Sequence, residues 1–329
     1  MQSERFTSAS ALKTPIAFMI YHRPDTTEQV FSEIAKVKPP VLMVVADGPR
    51  GDRPGDGEDC SAARKVIEQV NWPCKVLTNF AETNLGARER VSSGLDWVFS
   101  QVEEAIILED DCLPNHTFFR FCEELLDKYR NVDQVMHIGG DNFLSGRVSY
   151  DGSYYFSRYP HVLGWASWRR AWQHYDVNLR LWSSSTNRDL YLRHFRTRNE
   201  KWFWTRTWNA LCQGKIDAWD YQWVFACITR NGLAVVPEVN LVQHIGFGPS
   251  ATHTKVKWSL PIPSAEALQF PLRHPDSFLW FDEADNLTRK LFFHRRSLPA
   301  RAVNKVRKAL RHANPKRVFS QSRTLSTTH

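Results

Sequence analysis

The sequence predicts an α/β fold: a mostly parallel sheet with helices on both faces and a helical extension at the C-terminal end. Three observations predict it. Short runs such as V-L-M-V-V-A and A-I-I-L are apolar at every position, as strands buried on both faces are. Segments with apolar residues at helical spacing alternate with them. Several of the runs end directly in acids, at Asp47, Glu109-Asp110-Asp111 and Asp141. Ligands of such sheets bind outside the carboxyl ends of the strands, so these acids are expected to converge on one edge.

Residues 1–13 read as a disordered lead. P-I-A-F-M-I-Y (15–21) is the first strand, and the turn H-R-P-D-T-T-E follows. Asp25 and Glu28 fit a helix-start capping pair. Phe31 and Ile34 give that helix its apolar side, and Pro39-Pro40 end it. Residues 41–48 form the second strand. The loop G-P-R-G-D-R-P-G-D-G-E-D is dense in turn residues, with a helix expected over 61–70 and a strand over 74–78. N-L-G-A-R-E-R (84–90) leads into a helix bearing Val91, Leu95 and Val98. The strand A-I-I-L then runs into E-D-D. Phe118, Phe121, Leu125 and Tyr129 mark a helix over 117–129, and V-M-H-I-G-G (135–140) is another strand.

After residue 150 the character changes. Nine of the thirteen tryptophans fall between Trp165 and Trp223. Indole faces pack on sugar C–H faces while the N–H reaches a hydroxyl, so a Trp-rich cleft suits a carbohydrate. The plainer alternative is a helical core that uses tryptophan.

Length allows one large domain or two. No apolar run approaches the ~20 residues of a membrane span. The start M-Q-S-E-R-F-T-S lacks the order of a secretory signal, so the expected location is cytoplasmic. The six cysteines form no C-x-x-C pair and no zinc-site spacing, and read as reduced and structural. The net charge of +8 is unevenly distributed: no acid follows Asp285, and that tail carries twelve cations, without which the body stands at −4. This argues against nucleic acid as a partner of the body. From Leu298, apolar residues at four-residue spacing alternate with Arg301, Lys305 and Lys308. This reads as a basic amphipathic helix, and residues 295–317 are expected to meet an anionic membrane surface.

Three adjacent carboxylates at the end of a core strand repel one another. A hard divalent ion, Mn2+ or Mg2+, would relieve that, held by one or two carboxylates and by substrate phosphates. The structural alternative is a solvated cluster capping a helix.

The ordered set Y-H-R-P, A-D-G, N-L-G-A-R-E-R, I-I-L-E-D-D-C-L-P, L-G-W-A-S-W and W-D-Y-Q-W, followed by V-V-P-E-V-N-L-V-Q-H-I-G-F-G, resembles the GT-A glycosyltransferases. The nearest likeness is to family 2-like bacterial transferases and, more distantly, to N-acetylglucosaminyltransferase I. The resemblance implies a nucleotide-sugar-binding half over 14–150, an acceptor-binding and catalytic half over 151–260, and a basic extension over 261–329. It implies that Asp111 holds the metal, with Glu109 and Asp110 toward ribose and donor sugar. Tyr21, Arg23 and Asp47 would line the nucleoside pocket, and Arg88 would meet the diphosphate. Asp220 matches the general base of inverting enzymes, with Asp217 the alternative. Trp165 and Trp219 are acceptor-binding candidates. His244 and His253 stand where relatives place a histidine near the metal, although His244 could equally be a core residue. Asp47 could instead cap a turn, and Asp141 could face the donor sugar or serve a turn. The first acid is Glu109, where the family's commonest motif is D-x-D.

The implied activity is a metal-dependent, inverting hexosyl or N-acetylhexosaminyl transfer. It would run from a nucleoside-diphosphate sugar, a UDP-sugar first, to a glycan or lipid-linked acceptor in polysaccharide biosynthesis. A sugar nucleotidyltransferase is the enzymatic alternative, but Y-H-R-P-D-T-T-E lacks the glycines and lysine that hold a triphosphate. A non-catalytic sugar-binding relative is the other.

Overall fold

In the computed structural model, residues 11–246 and 263–293 are described. The chain begins with β1 (Ile16–Ile20), α1 (Pro24–Val37), β2 (Val41–Ala46), α2 (Asp56–Lys65), β3 (Lys75–Phe80), α3 (Gly86–Gln101) and β4 (Glu104–Glu109). It continues through β5 (Cys112–Pro114), α4 (His116–Tyr129), β6 (Val135–Gly139), β7 (Tyr154–Ser157) and β8 (Trp165–Trp168). The short helices α5 (Arg169–Trp172), α6 (Arg180–Ser183) and α7 (Asp189–Leu192) precede α8 (Arg198–Cys212) and α9 (Asp220–Thr229). β9 (Leu233–Pro237), β10 (Val242–His244) and α10 (Asp282–Phe292) complete it.

Eight strands form one sheet in the order β3-β2-β1-β4-β8-β6-β9-β7, and β5 pairs with β10 in a small second sheet. β1 to β4 are all parallel. β8 then runs antiparallel to β4 and β6, β9 is parallel to β6, and β7 is antiparallel to β9. The expected α/β fold is present, with its parallel character concentrated in the first half.

Strand side chains alternate between faces, and the core divides accordingly. Ile16, Phe18, Ile20, Ile106 and Leu108 pack with α1 and α4, while Ala17, Met19, Ile107 and Trp165 pack with α3, α5 and α9. A third cluster joins Trp182, Trp204 and Trp208 to Phe225 and Ile228. Of the nine tryptophans between 165 and 223, all but Trp202 are buried. The stretch is chiefly a helical core rather than a sugar-facing wall.

Local structure departs from the sequence reading in three places. Residues 11–13, assigned to the lead, are held: Leu12 is buried and donates its N–H to Val37 O, and Lys13 N donates to Glu123. α1 is entered through Pro24 at its first position rather than capped by Asp25, and Arg23 occupies the N-cap without a side-chain cap. α2 begins at Asp56, five residues before the expected start. Its acids at Asp56, Glu58 and Asp59 sit at the positive end of the helix dipole, and this outweighs the turn character of G-D-G. β3 is an exposed edge strand. Asn115 caps α4 by accepting from Thr117 N at 3.0 Å.

The six cysteines are free. No helix among the described residues is long and apolar enough to cross a membrane. The basic arm from residue 294 and His253 lie outside the described residues.

Candidate functional site

A cavity of about 600 Å³ opens at the carboxyl ends of β1, β2 and β4. Its walls bring together residues far apart in sequence: Tyr21, Arg23, Asp47, Glu109, Asp110, Asp111, Asp217, Trp219, Asp220 and His244. The volume is that of a small-molecule or cofactor site.

The acids sit where register puts them. Glu109 is opposite Met19 across β1–β4, and the next residue donates Asp110 N to Met19 O at 2.9 Å. Asp110 is buried; one oxygen accepts Tyr21 N at 3.0 Å and the other takes Nη2 of Arg23. Asp111 Oδ2 accepts Nη1 of the same guanidinium at 2.8 Å. β10 places His244 opposite Cys112, so its Nε2 lies 3.4 Å from Asp111 Oδ2.

Electrostatics separates the three acids. Burial, then the charges of Asp111 and Asp110, pushes Glu109 up to about 8. Burial raises Asp110 to about 6, with Arg23 offsetting part of the effect. Burial also opposes ionisation of Asp111, but the His244 hydrogen bond and the Arg23 charge outweigh it and hold Asp111 below the usual carboxylate range. The cluster therefore keeps one firmly ionised member, facing His244.

Another part of the cavity wall is built around Asp47. Its carboxylate accepts from Gly48 N (2.8 Å), Leu85 N (2.9 Å), Gly86 N (3.1 Å) and Asn84 Nδ2 (2.8 Å). Asp47 thus ties the end of β2 to the N-L-G turn before α3, and the turn-capping alternative describes its contacts. Tyr21 Oη donates to Asp56 Oδ2 at 2.8 Å, beneath the Arg50 guanidinium. Asp56 falls to about 2, because hydrogen bonds from Arg50 and Tyr21 outweigh burial.

Three candidates are placed differently from expectation. The Arg88 guanidinium turns away to Val177 O (2.8 Å) and Asn178 Oδ1 (3.2 Å), outside the cavity wall; Arg50 and Arg90 line it instead. Trp165 is 1% exposed and stacked between His137 and Trp219, so it is a core side chain that no acceptor can touch. Trp219 does reach the cavity wall. Asp141 is buried and does not line the cavity, and neither carboxylate oxygen has a hydrogen-bond partner; burial pushes it up to about 8.

The two candidate bases also differ. Asp217 accepts from Ala87 N (3.1 Å) and Arg88 N (2.9 Å), capping the first turn of α3 across 130 residues of chain. Asp220 is the first residue of α9, lines the cavity, and lies near enough for its charge to raise Glu109. Sequence reasoning missed Arg50, Arg90 and Asp56, which a turn-rich loop and a helix face conceal. It also missed His137: Trp223 Nε1 donates to His137 Nδ1 at 3.2 Å, and His137 Nε2 lies 2.7 Å from His161 O. This pins the 160–163 segment that lines the cavity.

A divalent ion fits this donor set as a two-ligand site. Asp111 Oδ2 and His244 Nε2 are close enough to share one ion, and substrate oxygens would complete its shell. No group of three or more His, Cys, Asp or Glu positioned for a metal occurs among the described residues.

No family model and no curated protein matches the chain. Solved structures that match the chain include 4-diphosphocytidyl-2C-methyl-D-erythritol synthase from Anaerococcus prevotii, 11% identical, covering 56% of this chain and 84% of that one at a TM-score of 0.34. UDP-glucose pyrophosphorylase complexed with UDP-glucose is 8% identical over 50% of this chain and 79% of that one (TM-score 0.29). Mouse xyloside xylosyltransferase 1 is 10% identical over 65% and 81% (TM-score 0.30). At this distance they bear on neither family nor activity.

Proposed function

We propose that the chain is a glycosyltransferase of the GT-A kind, which moves a sugar from a nucleoside-diphosphate donor to a hydroxyl of a glycan or lipid-linked acceptor, with inversion. One observation carries this reading: the acid cluster with its arginine, and Asp220 at the start of α9, line one cavity at the strand ends. Tyr21, Arg50 and Asn84 would receive the nucleoside, with UDP the first donor to test. Glu109 and Asp110 would face the ribose and the donor sugar. Asp111 and His244 would hold Mn2+ or Mg2+, which when bound would neutralise the diphosphate leaving group. Asp220 would take the acceptor hydroxyl proton as that oxygen attacks the anomeric carbon. The bond from that carbon to the diphosphate breaks as the new C–O bond forms. Such base catalysis contributes roughly 10²–10⁴ in rate. Asp217 is the weaker candidate because its carboxylate already caps α3.

The test is a thermal-shift screen of nucleoside diphosphates and their sugars with and without Mn2+, followed by turnover. A ligand of the folded state raises the melting temperature by mass action. Asp220→Asn should keep the shift and lose turnover; nucleoside diphosphate, not pyrophosphate, should be released. Absence of a shift with every nucleotide sinks the reading, and pyrophosphate release replaces it with nucleotidyl transfer. The basic arm would hold the enzyme, on the cytoplasmic side, at an anionic bilayer; sedimentation with anionic vesicles that persists after deletion of residues 295–317 would refute this.

A further inference from the structure

Arg23 occupies the most crowded point of the acid cluster. Nη1 donates to Asp111 Oδ2 at 2.8 Å while Nη2 pairs with Asp110. The oxygen that accepts Nη1 is the same one that His244 Nε2 approaches at 3.4 Å. A third side is closed by the chain: a Cβ on Gly246 would lie 2.3 Å from Asp111 Oδ2 and 2.8 Å from Arg23 Nη1. So the one edge of the cluster suited to a divalent ion already holds a fixed positive charge. Backbone hems that edge in.

We infer that Arg23 is the resident counter-ion of the cluster and competes with the divalent ion for Asp111. The ion binds poorly to the free protein, and well once a diphosphate draws the guanidinium off Asp111 onto its own oxygens. This rests on the reading of the cavity as a nucleoside-diphosphate site. The exchange is chemically simple. A guanidinium presents two parallel N–H donors that suit a pair of carboxylate oxygens or a pair of phosphate oxygens equally. Arg23 sits immediately before Pro24, at the fixed entry to α1, so the side chain and not the backbone is the part that turns. Its side chain lines the cavity together with both acids. By linkage, the metal must strengthen diphosphate binding by the same factor as the diphosphate strengthens metal binding.

The experiment measures Mn2+ binding to the full chain by electron paramagnetic resonance, with and without uridine diphosphate. In the wild type, the diphosphate should tighten Mn2+ binding at least tenfold. Arg23→Met should bind Mn2+ alone at least fivefold more tightly than the wild type, and the diphosphate should add little. Arg23→Lys keeps the charge but cannot span two carboxylates, so it should fall between them; it decides the question if Arg23→Met does not fold. Folded variants that bind Mn2+ no more tightly than the wild type overturn the inference. Wild-type binding of the diphosphate with no metal in any combination also overturns it, leaving the nucleotide reading intact with Arg23 as its permanent cation. Binding of neither defeats both.

Discussion

Asp141 gives the most direct link between a local feature and a measurable free energy. Its carboxylate is 1% exposed and neither oxygen has a hydrogen-bond partner. Burial lifts its pKa from 3.8 to about 8, and the nearby N–H groups of Asp141 and Leu163 offset only part of that. The folded chain therefore holds this proton over the window from 3.8 to about 8, where the unfolded chain has released it. Stability must fall as pH rises through that window. At about 1.4 kcal/mol per pH unit, the loss between pH 5 and 7.5 is on the order of 3 kcal/mol. Asp141→Asn keeps the shape and removes the titration. Urea unfolding of both proteins at pH 5, 6, 7 and 7.5 isolates the effect, because every other group cancels in the difference. The variant should already lead at pH 5, and its lead should grow by about 3 kcal/mol by pH 7.5. A difference that stays flat with pH, or a wild type that gains on the variant as pH rises, would refute the reasoning.

Other outcomes follow from single contacts. Gly246→Ala forces a methyl group against Asp111 and Arg23; overpacking of about 1–3 kcal/mol is expected, together with loss of the Mn2+-dependent nucleotide shift in a protein that still folds. Asp217→Ala removes the cap of α3 and should cost roughly 1 kcal/mol in urea unfolding, whereas Asp220→Asn should slow transfer roughly 10²–10⁴-fold. Burial lowers His137 to about 3, so the unfolded chain takes its proton first as pH falls through 6.5. The stability advantage of wild type over His137→Gln should shrink by about 2 kcal/mol between pH 7 and 5, and an advantage independent of pH would count against it.

The parallel half of the fold was legible because its signals are local. Continuous apolar runs separated by helical spacing, those of β2 and β4 closed by acids, place β1, β2 and β4 and their carboxyl ends without tertiary information. The antiparallel insertion of β8 between β4 and β6 was not, since W-A-S-W carries no period that distinguishes a sheet centre from a helix. The same limit governs the site. Residue type and position at a strand end identified the acids, but partnership identified their roles. Asp47 and Asp217 look like ligand carboxylates in sequence, and only their contacts with the N–H groups of residues 85–88 reveal them as caps. Arg88 and Arg90 lie two residues apart, and helix phase alone sends one to the cavity wall and the other to Val177. Trp165 shows that composition cannot tell an aromatic floor from an aromatic face: it stacks beneath Trp219, and only the upper ring meets the cavity.

The acids of E-D-D do more than wait for an external cation. Arg23 answers the charges of Asp110 and Asp111 from within the fold. Burial, then the charges of Asp111 and Asp110, pushes Glu109 up to about 8, so it keeps its proton at neutral pH. A strand end built only for stability would need none of this. Replacing buried ion pairs with apolar groups is often neutral or favourable. What the arrangement retains is a carboxylate kept ionised, an arginine shared between two acids and a histidine brought to the same oxygen by a separate two-stranded sheet. Local rules are broken at this point, which is where function is expected in a chain whose other choices agree. Asp141, with its unpartnered oxygens, is the second such point. It lies two residues past β6, which runs in the same direction as β4 with β8 between them, so the two departures mark the same edge of the sheet.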